Sequence, residues 1–356
     1  MAAHTRQIMI RENRIIIALL SILSVIAIGM VLYQTRSIIL PFALAVFINY
    51  IISPLITFFE RRRIPSAISI LLAIIITFLI LNFVGVMIYT SIKSFTADFP
   101  KYEDRFNQIL QQILQLTGIP EEVISTETQG LQRFSVLANL KGFSLSKIIV
   151  TTFSSLLNFL SNTFLVLLFL FFMLLGRNQL ARKVQLAFRP EVSIKIAGIL
   201  NNINRQIQKY LLAKTIISFI TGVLSTGILM YFGVEFALVW GMLTFLLNFI
   251  PNLGSVIATA LPVAFAFIQM NDLVTVMWIF ILLVAVQMIM GNFLDPRIVG
   301  RSLNLSPLVV LFSLIFWGWL WGIVGMFLAV PISVIIKIIF ENIESLRFIS
   351  VLMSSR

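Results

Sequence analysis

The sequence predicts an all-α polytopic membrane protein with about six full spans, two inverted, re-entrant helical hairpins and a small helical external segment. Three observations predict this class. Of 356 residues, 59% are hydrophobic and only 11% are charged, where a soluble domain carries about 25% charged residues. Mean hydropathy is +1.03. Eight charge-free stretches run from 19 to 36 residues, and about 20 apolar residues cross a ~30 Å hydrocarbon core as a helix. This composition argues against a soluble enzyme, a nucleic-acid-binding protein and a disordered chain. Lys and Arg exceed Asp and Glu by 26 to 14, a net charge of +12. In a chain this apolar the excess is read as basic loops that set orientation.

The first stretch, 15–33, follows Arg6, Arg11 and Arg14 like a signal peptide. The residues after it, Tyr33-Gln34-Thr35-Arg36, offer no small-x-small cleavage pattern, so it is read as an uncleaved first span. Stretches 37–59 and 64–92 complete an N-terminal group of three spans over 1–92. Stretch 148–176 is a fourth span, and 215–234 and 273–294 are two more.

Stretches 236–271 and 302–336 hold 36 and 35 residues, too long for one comfortable crossing at ~1.5 Å per residue. Each is interrupted in its middle. The first carries Asn248-Phe249-Ile250-Pro251-Asn252-Leu253-Gly254; the second carries Trp317-Gly318-Trp319-Leu320-Trp321-Gly322, with Gly325 beyond. Proline and glycine there favour a turn, and both stretches are read as hairpins. With both termini cytoplasmic and each hairpin returning to its own side, 19 basic residues fall inside and 7 outside, in keeping with the positive-inside bias. The hairpins then enter from opposite faces. Many secondary transporters share that inverted arrangement, with a site where broken helices meet near the midplane.

Two segments lie outside the spans. Residues 93–147 balance six basic with six acidic residues, and Phe106, Ile109, Leu110, Ile113 and Leu116 recur at helical spacing. This is an external helical cap, for packing, assembly or substrate. Segment 177–214 carries eight basic residues and one acid. Its Ile196, Leu200, Ile203, Ile207 and Tyr210 form the seam of an amphipathic cytoplasmic helix that lies on the membrane or packs on another subunit. Residues 341–356 form a cytoplasmic tail.

Catalytic chemistry finds little to use. The sequence contains no cysteine and one histidine, His4, so thiol nucleophiles, disulfides and a histidine-dependent triad are excluded. No zinc-protease or P-loop motif occurs. Asp272 and Asp295 fall at span ends, where an acid commonly caps or anchors. No enzyme, metal or cofactor is expected. The charge-free stretches favour a neutral, polyhydroxylated solute over a proton relay or buried cation site. Asn248, Asn252, Ser255, Gln287, Asn292, Trp317, Trp319 and Trp321 supply amides, a hydroxyl and indoles to hold it. Membrane amides also join helix to helix, and tryptophans also form interfacial belts.

A family resemblance rests on several of these motifs. Residues 236–241 (Phe-Ala-Leu-Val-Trp-Gly) and 247–255, together with Gly291-Asn292-Phe293-Leu294-Asp295-Pro296-Arg297-Ile298-Val299-Gly300-Arg301 and Phe316 to Gly322, resemble the signature of the autoinducer-2 exporter family. Pro41-Phe42-Ala43-Leu44-Ala45 and Ser53-Pro54-Leu55 are similar to its second span. The resemblance covers about residues 10–345. It implies a multi-pass protein of the bacterial cell inner membrane that exports the quorum-sensing signal autoinducer-2, and so restrains biofilm and motility. It also implies a ring-like homo-oligomer, a pentamer, with membrane lipids as its other partners.

The leading reading makes 215–340 the transport core. Asn248, Pro251, Asn252 and Gly254 form its outer turn, and Trp317, Gly318, Trp319 and Gly322 its inner turn. Asp295, Pro296 and Arg297 form a cytoplasmic hinge. Asn252→Ala or Gly254→Leu is expected to lower efflux while folding and assembly survive. The alternatives are a monovalent cation (sodium)/proton antiporter that titrates Asp295, and a non-transporting assembly scaffold.

Overall fold

The structure, a computed structural model, describes residues 19–20, 23–24, 26–87, 90, 162–176, 179–270, 272–294 and 305–355. The external segment and the hinge residues Asp295, Pro296 and Arg297 lie outside the described residues. Those described are overwhelmingly helical, with one isolated antiparallel bridge, Leu305–Ser354. Five of the described helices are long and apolar enough to cross a membrane.

Helical residues 26–34 lead into α1 (Arg36–Arg61). Arg61 ends α1, and Arg62 and Arg63 follow in the turn. Arg63 takes a positive φ of 64°, and the Ile64 amide donates to the Phe59 carbonyl at 3.2 Å, closing the last turn before Pro65. α2 (Ser66–Met87) follows. Its small and polar positions Ser69, Ala73 and Thr77 are buried, while Leu71, Ile75, Leu79 and Phe83 are exposed. Small residues facing protein and large apolar ones facing outward is the pattern that membrane helices use to pack closely.

After α3 (Asn162–Gly176) and α4 (Gln179–Ala187) comes α5 (Pro190–Tyr231), one uninterrupted helix of 42 residues. The sequence reading divided this region at 214, because charge stops there. The helix runs straight through the boundary. Ile203, Ile207 and Tyr210 of the seam are buried within the chain itself. α5 ends at Gly233, whose φ of +70° lets the Val234 amide reach the Leu229 carbonyl at 2.9 Å.

α6 (Ala237–Leu247) and α7 (Leu253–Gln269) are two short antiparallel helices. Gln269 at the end of α7 clamps the loop before α6: its amide nitrogen donates to the Gly233 carbonyl at 2.9 Å, and its oxygen accepts from the Glu235 amide at 2.9 Å. Leu229, Val234, Ala237, Phe265, Ala266, Ile279 and Leu283 form a common core. α8 (Leu273–Gln287) widens into a π-helical turn, Met288–Leu294. Asp272 caps α8, accepting from the Val274 amide at 3.0 Å, the Thr275 amide at 3.2 Å and the Thr275 hydroxyl. Those bonds, the hydroxyl's first, hold the Asp272 carboxyl below its usual range. A lowered folded value means the capping contribution is full above the unfolded carboxylate value and is lost as pH falls through the folded one. Asp272→Ala is therefore expected to lower the melting temperature at neutral pH, and the difference from the parent should close in acid. A difference that persists unchanged below pH ~3 would show that the carboxylate charge is not what caps the helix.

α9 (Pro307–Glu341) is broken at Gly322 into arms 307–321 and 323–341. A 3₁₀ turn (Glu344–Leu346) and α10 (Arg347–Met353) follow. The chain divides into two compact units. One comprises 1–50, 172–208 and 302–356; the other comprises 51–171 and 209–301. The α6–α7 hairpin belongs to the second and the α9 hairpin to the first.

Candidate functional site

In the α6–α7 hairpin, Pro251 lacks the N–H needed to continue a helix, so the chain must turn near it. Asn252 has φ 61° and ψ −56°, and the Leu253 amide donates to the Pro251 carbonyl at 2.7 Å. That is a γ-turn of the positive-φ kind, which is rare and strained. Strain of about 1–3 kcal/mol at a single residue persists only where the surroundings impose it, and such residues gather at functional sites. The Ser255 hydroxyl donates to the Asn252 carbonyl at 2.9 Å, stiffening the same turn.

Gly254 is required by a close approach. A Cβ there would lie 1.7 Å from the carbonyl oxygen of Leu247. Gly254→Leu therefore acts on the turn itself, because its side chain would occupy backbone already present. Asn252→Ala keeps the positive φ without the Asn side chain, so it too acts on the turn's conformation.

Asn248 sits at the C-terminal end of α6 with 7% of its surface exposed. Its amide nitrogen donates to the Ser218 hydroxyl of α5 at 3.1 Å. Sequence reasoning missed Ser218, although a signal was present. Ser218, Thr221 and Ser225 interrupt an apolar run on one side of α5, and all three are buried. Thr244, one turn before Asn248, is buried as well. The α5 and α6 backbones approach closely: a Cβ on Gly241 would meet the Thr226 hydroxyl at 1.7 Å and the Gly222 carbonyl at 2.7 Å. A Ser218→Ala and Asn248→Ala double-mutant cycle is expected to give a coupling of about 0.6 kcal/mol, and not above about 1.7, as for other membrane hydrogen bonds. Additive single effects would show the pair to be geometric only.

The α9 hairpin is built the same way. Gly322 takes φ 66° and ψ −146°, a region only glycine occupies readily. A Cβ on Gly325 would lie 1.9 Å from the Trp317 carbonyl oxygen. Lower down, the Ser313 hydroxyl reaches the Ala329 carbonyl at 3.1 Å and the Ser333 hydroxyl at 2.5 Å. A straight helix would part Ser313 from Ala329 by about 24 Å, so the arms fold back on one another. The foot of the first arm is tied to the end of α10: the Ser306 amide donates to the Met353 carbonyl at 2.9 Å, beside the Leu305–Ser354 bridge.

The three tryptophans at this turn do different things. Trp317 and Trp321 are buried, with ring centroids 4.8 Å apart and planes tilted by 43°, and the Trp321 indole donates to the Leu32 carbonyl at 3.2 Å. Trp319 is 73% exposed. Gly318 faces Met326, 2.8 Å from where a Cβ would sit. Gln287 is half-buried at the end of α8, and Asn292 is exposed on the π turn. π-Helical turns interrupt α-helices frequently at functional sites.

Two charged side chains are buried among the described residues, Lys214 and Lys337. In the sequence Lys214 closes the basic segment 177–214 and Lys337 bounds the charge-free stretch 302–336. They lie inside α5 and α9, and buried ionisable groups in membrane helices are functional candidates.

Folded-back, broken helices in an apolar chain are the make-up shared by many secondary membrane transporters. Comparison with known proteins then supplies the family. Residues 20–345 match the model of the AI-2E family transporter, and the chain belongs to that family. It is 37% identical to the AI-2 transport protein TqsA of Escherichia coli K12, over 95% of each chain. It is 32% identical to a putative transport protein of Borreliella burgdorferi, over 87% of this chain and 83% of that one. It is 31% identical to the putative transport protein YhhT of Escherichia coli K12, over 91% of this chain and 90% of that one.

Proposed function

We propose that this protein is a secondary transporter that exports autoinducer-2, or a similar small polar solute, across the bacterial inner membrane, with its N- and C-termini cytoplasmic and its subunits assembled as a homo-oligomer. The observation that carries the reading is the strained γ-turn at Asn252, held between two short helices and tied through Asn248 to the hydroxyl stripe of α5. A turn of this kind gives solute a cluster of amides, hydroxyls and turn carbonyls at the end of two half-helices. The likeness to TqsA supports the choice of solute. Exporting the signal would lower its internal level and so restrain biofilm formation and motility. No group in this scheme is catalytic. Asn248, Asn252, Ser255, Gln287 and Asn292 are the proposed polar contacts. Pro251, Gly254, Gly318 and Gly322 set the turns, and Asp295, Pro296 and Arg297 are the proposed hinge.

The test is efflux of labelled autoinducer-2 from proteoliposomes, with and without imposed sodium and proton gradients. Saturable efflux above that of protein-free vesicles is expected, reduced in Asn248→Ala. Sodium–proton exchange with no movement of the signal would replace this reading with the antiporter. A protein that assembles and moves neither would point to the scaffold.

A further inference from the structure

The elbow between α4 and α5 presents exposed apolar side chains that lie outside the proposed solute path. Leu186 is 78% exposed, Ile194 is 74% exposed and Phe188 is 50% exposed. Such large apolar side chains on an otherwise polar connection mark a docking surface. Three cations alternate with them, Lys183, Arg189 and Lys195, all exposed, against one acid in the elbow, Glu191. Apolar tips interleaved with exposed cations are the make-up of a segment that lies in a headgroup layer.

The sequence left open whether this basic segment meets lipid or a second subunit. Seam residues Ile203, Ile207 and Tyr210 are buried in the chain's own fold and Ile196 and Leu200 are half-buried, so the most exposed apolar side chains of this segment are those of the elbow.

We propose that the α4–α5 elbow is a docking site for anionic phospholipid, with Leu186, Phe188 and Ile194 inserted among the acyl chains and Lys183, Arg189 and Lys195 on the headgroup phosphates. Each cation near an anionic surface contributes ~1 kcal/mol. Removing three shifts the docking equilibrium by about a hundredfold.

The absence of cysteine permits a test on the full chain without background labelling. Leu186→Cys and Ile194→Cys carry a nitroxide, with Glu344→Cys, exposed in the 3₁₀ turn, as reference. Collisions with oxygen and with a water-soluble nickel chelate are compared in nanodiscs containing phosphatidylglycerol and in discs of phosphatidylcholine alone. At 186 and 194 the ratio of oxygen to nickel collisions is expected to exceed that at 344 several-fold with phosphatidylglycerol. It should fall in phosphatidylcholine, and fall equally in Lys183→Gln/Arg189→Gln/Lys195→Gln. Labels as water-accessible as that at 344 in both lipids overturn the proposal. So do labels shielded from both reagents, with disulfides forming between subunits through Leu186→Cys, which assign the elbow to another copy of the chain. A high oxygen ratio that ignores both the lipid charge and the triple substitution overturns the anionic specificity. Efflux is not part of the readout, so failure here leaves the proposed solute untouched.

Discussion

Efflux by Gly254→Ala is expected to fall to the level of protein-free vesicles, even though the protein inserts and assembles. The cause is local. The added methyl would sit 1.7 Å from the Leu247 carbonyl oxygen and 3.3 Å from the Ile250 Cβ, and a backbone carbonyl cannot rotate away as a side-chain tip can. The start of α7 must move off the end of α6. Overpacking of this kind costs about 1–3 kcal/mol, concentrated where Asn252 is already strained. Amides of 248–254 should exchange faster with solvent, while those of the core around Ile279 and Leu283 should not change. Asn252→Gly is the complementary variant. Glycine accepts the positive φ without strain, so it should slow exchange in the turn and raise thermal stability. If Asn252→Gly also transports at the parental rate, the strain at 252 is incidental to function. If Gly254→Ala transports normally, the tight turn is not part of the solute path.

The sequence made the existence of the hairpins legible, because length conflicts with membrane thickness at 236–271 and 302–336 and breakers sit mid-way in each. It also placed Asp272 at a helix end, where it caps α8. The tertiary partners of the turns could not be read from it. Asn248 and Ser218 are 30 residues apart, and Trp321 and Leu32 are 289 apart. No local pattern pairs such positions. Charge misled in one place. Lys209 and Lys214 belong by charge to an amphipathic cytoplasmic helix at the membrane surface, yet α5 carries Lys214 into the packed interior, 5% exposed. A long continuous helix can bury a cation that a residue-by-residue count places outside. Glycine identity was legible as a breaker but not as a contact. The difference between a flexible Gly254 and a Gly254 pressed on Leu247 emerges only once the two helices are set side by side.

Ser313→Cys/Ser333→Cys is expected to form an intrachain disulfide rapidly and almost completely on mild oxidation in membranes. The two hydroxyl oxygens lie 2.5 Å apart, while a continuous helix would separate these positions by about 30 Å. With no native cysteine, the bond has no competitor within the chain. A mass difference of the linked peptide, unchanged on diluting the protein, identifies it as intrachain. Efflux should stop on oxidation and return on reduction if the α9 arms part during transport. Unaltered efflux in the fully linked protein would make α9 a rigid support. Gly325→Ala in the same background sharpens the result. Its methyl would meet the Trp317 carbonyl oxygen at 1.9 Å and the Trp321 Cβ at 2.9 Å, so it wedges the arms apart at the turn and should slow cross-linking at 313–333. Gly322→Ala strains the turn by about 1–3 kcal/mol without adding an atom between the arms, where no heavy atom lies within 4 Å of the new Cβ. It should therefore lower stability but leave the cross-linking rate close to that of the parent. Opposite rankings for the two glycines would mean that backbone strain at 322, and not the close approach at 325, controls how the hairpin closes.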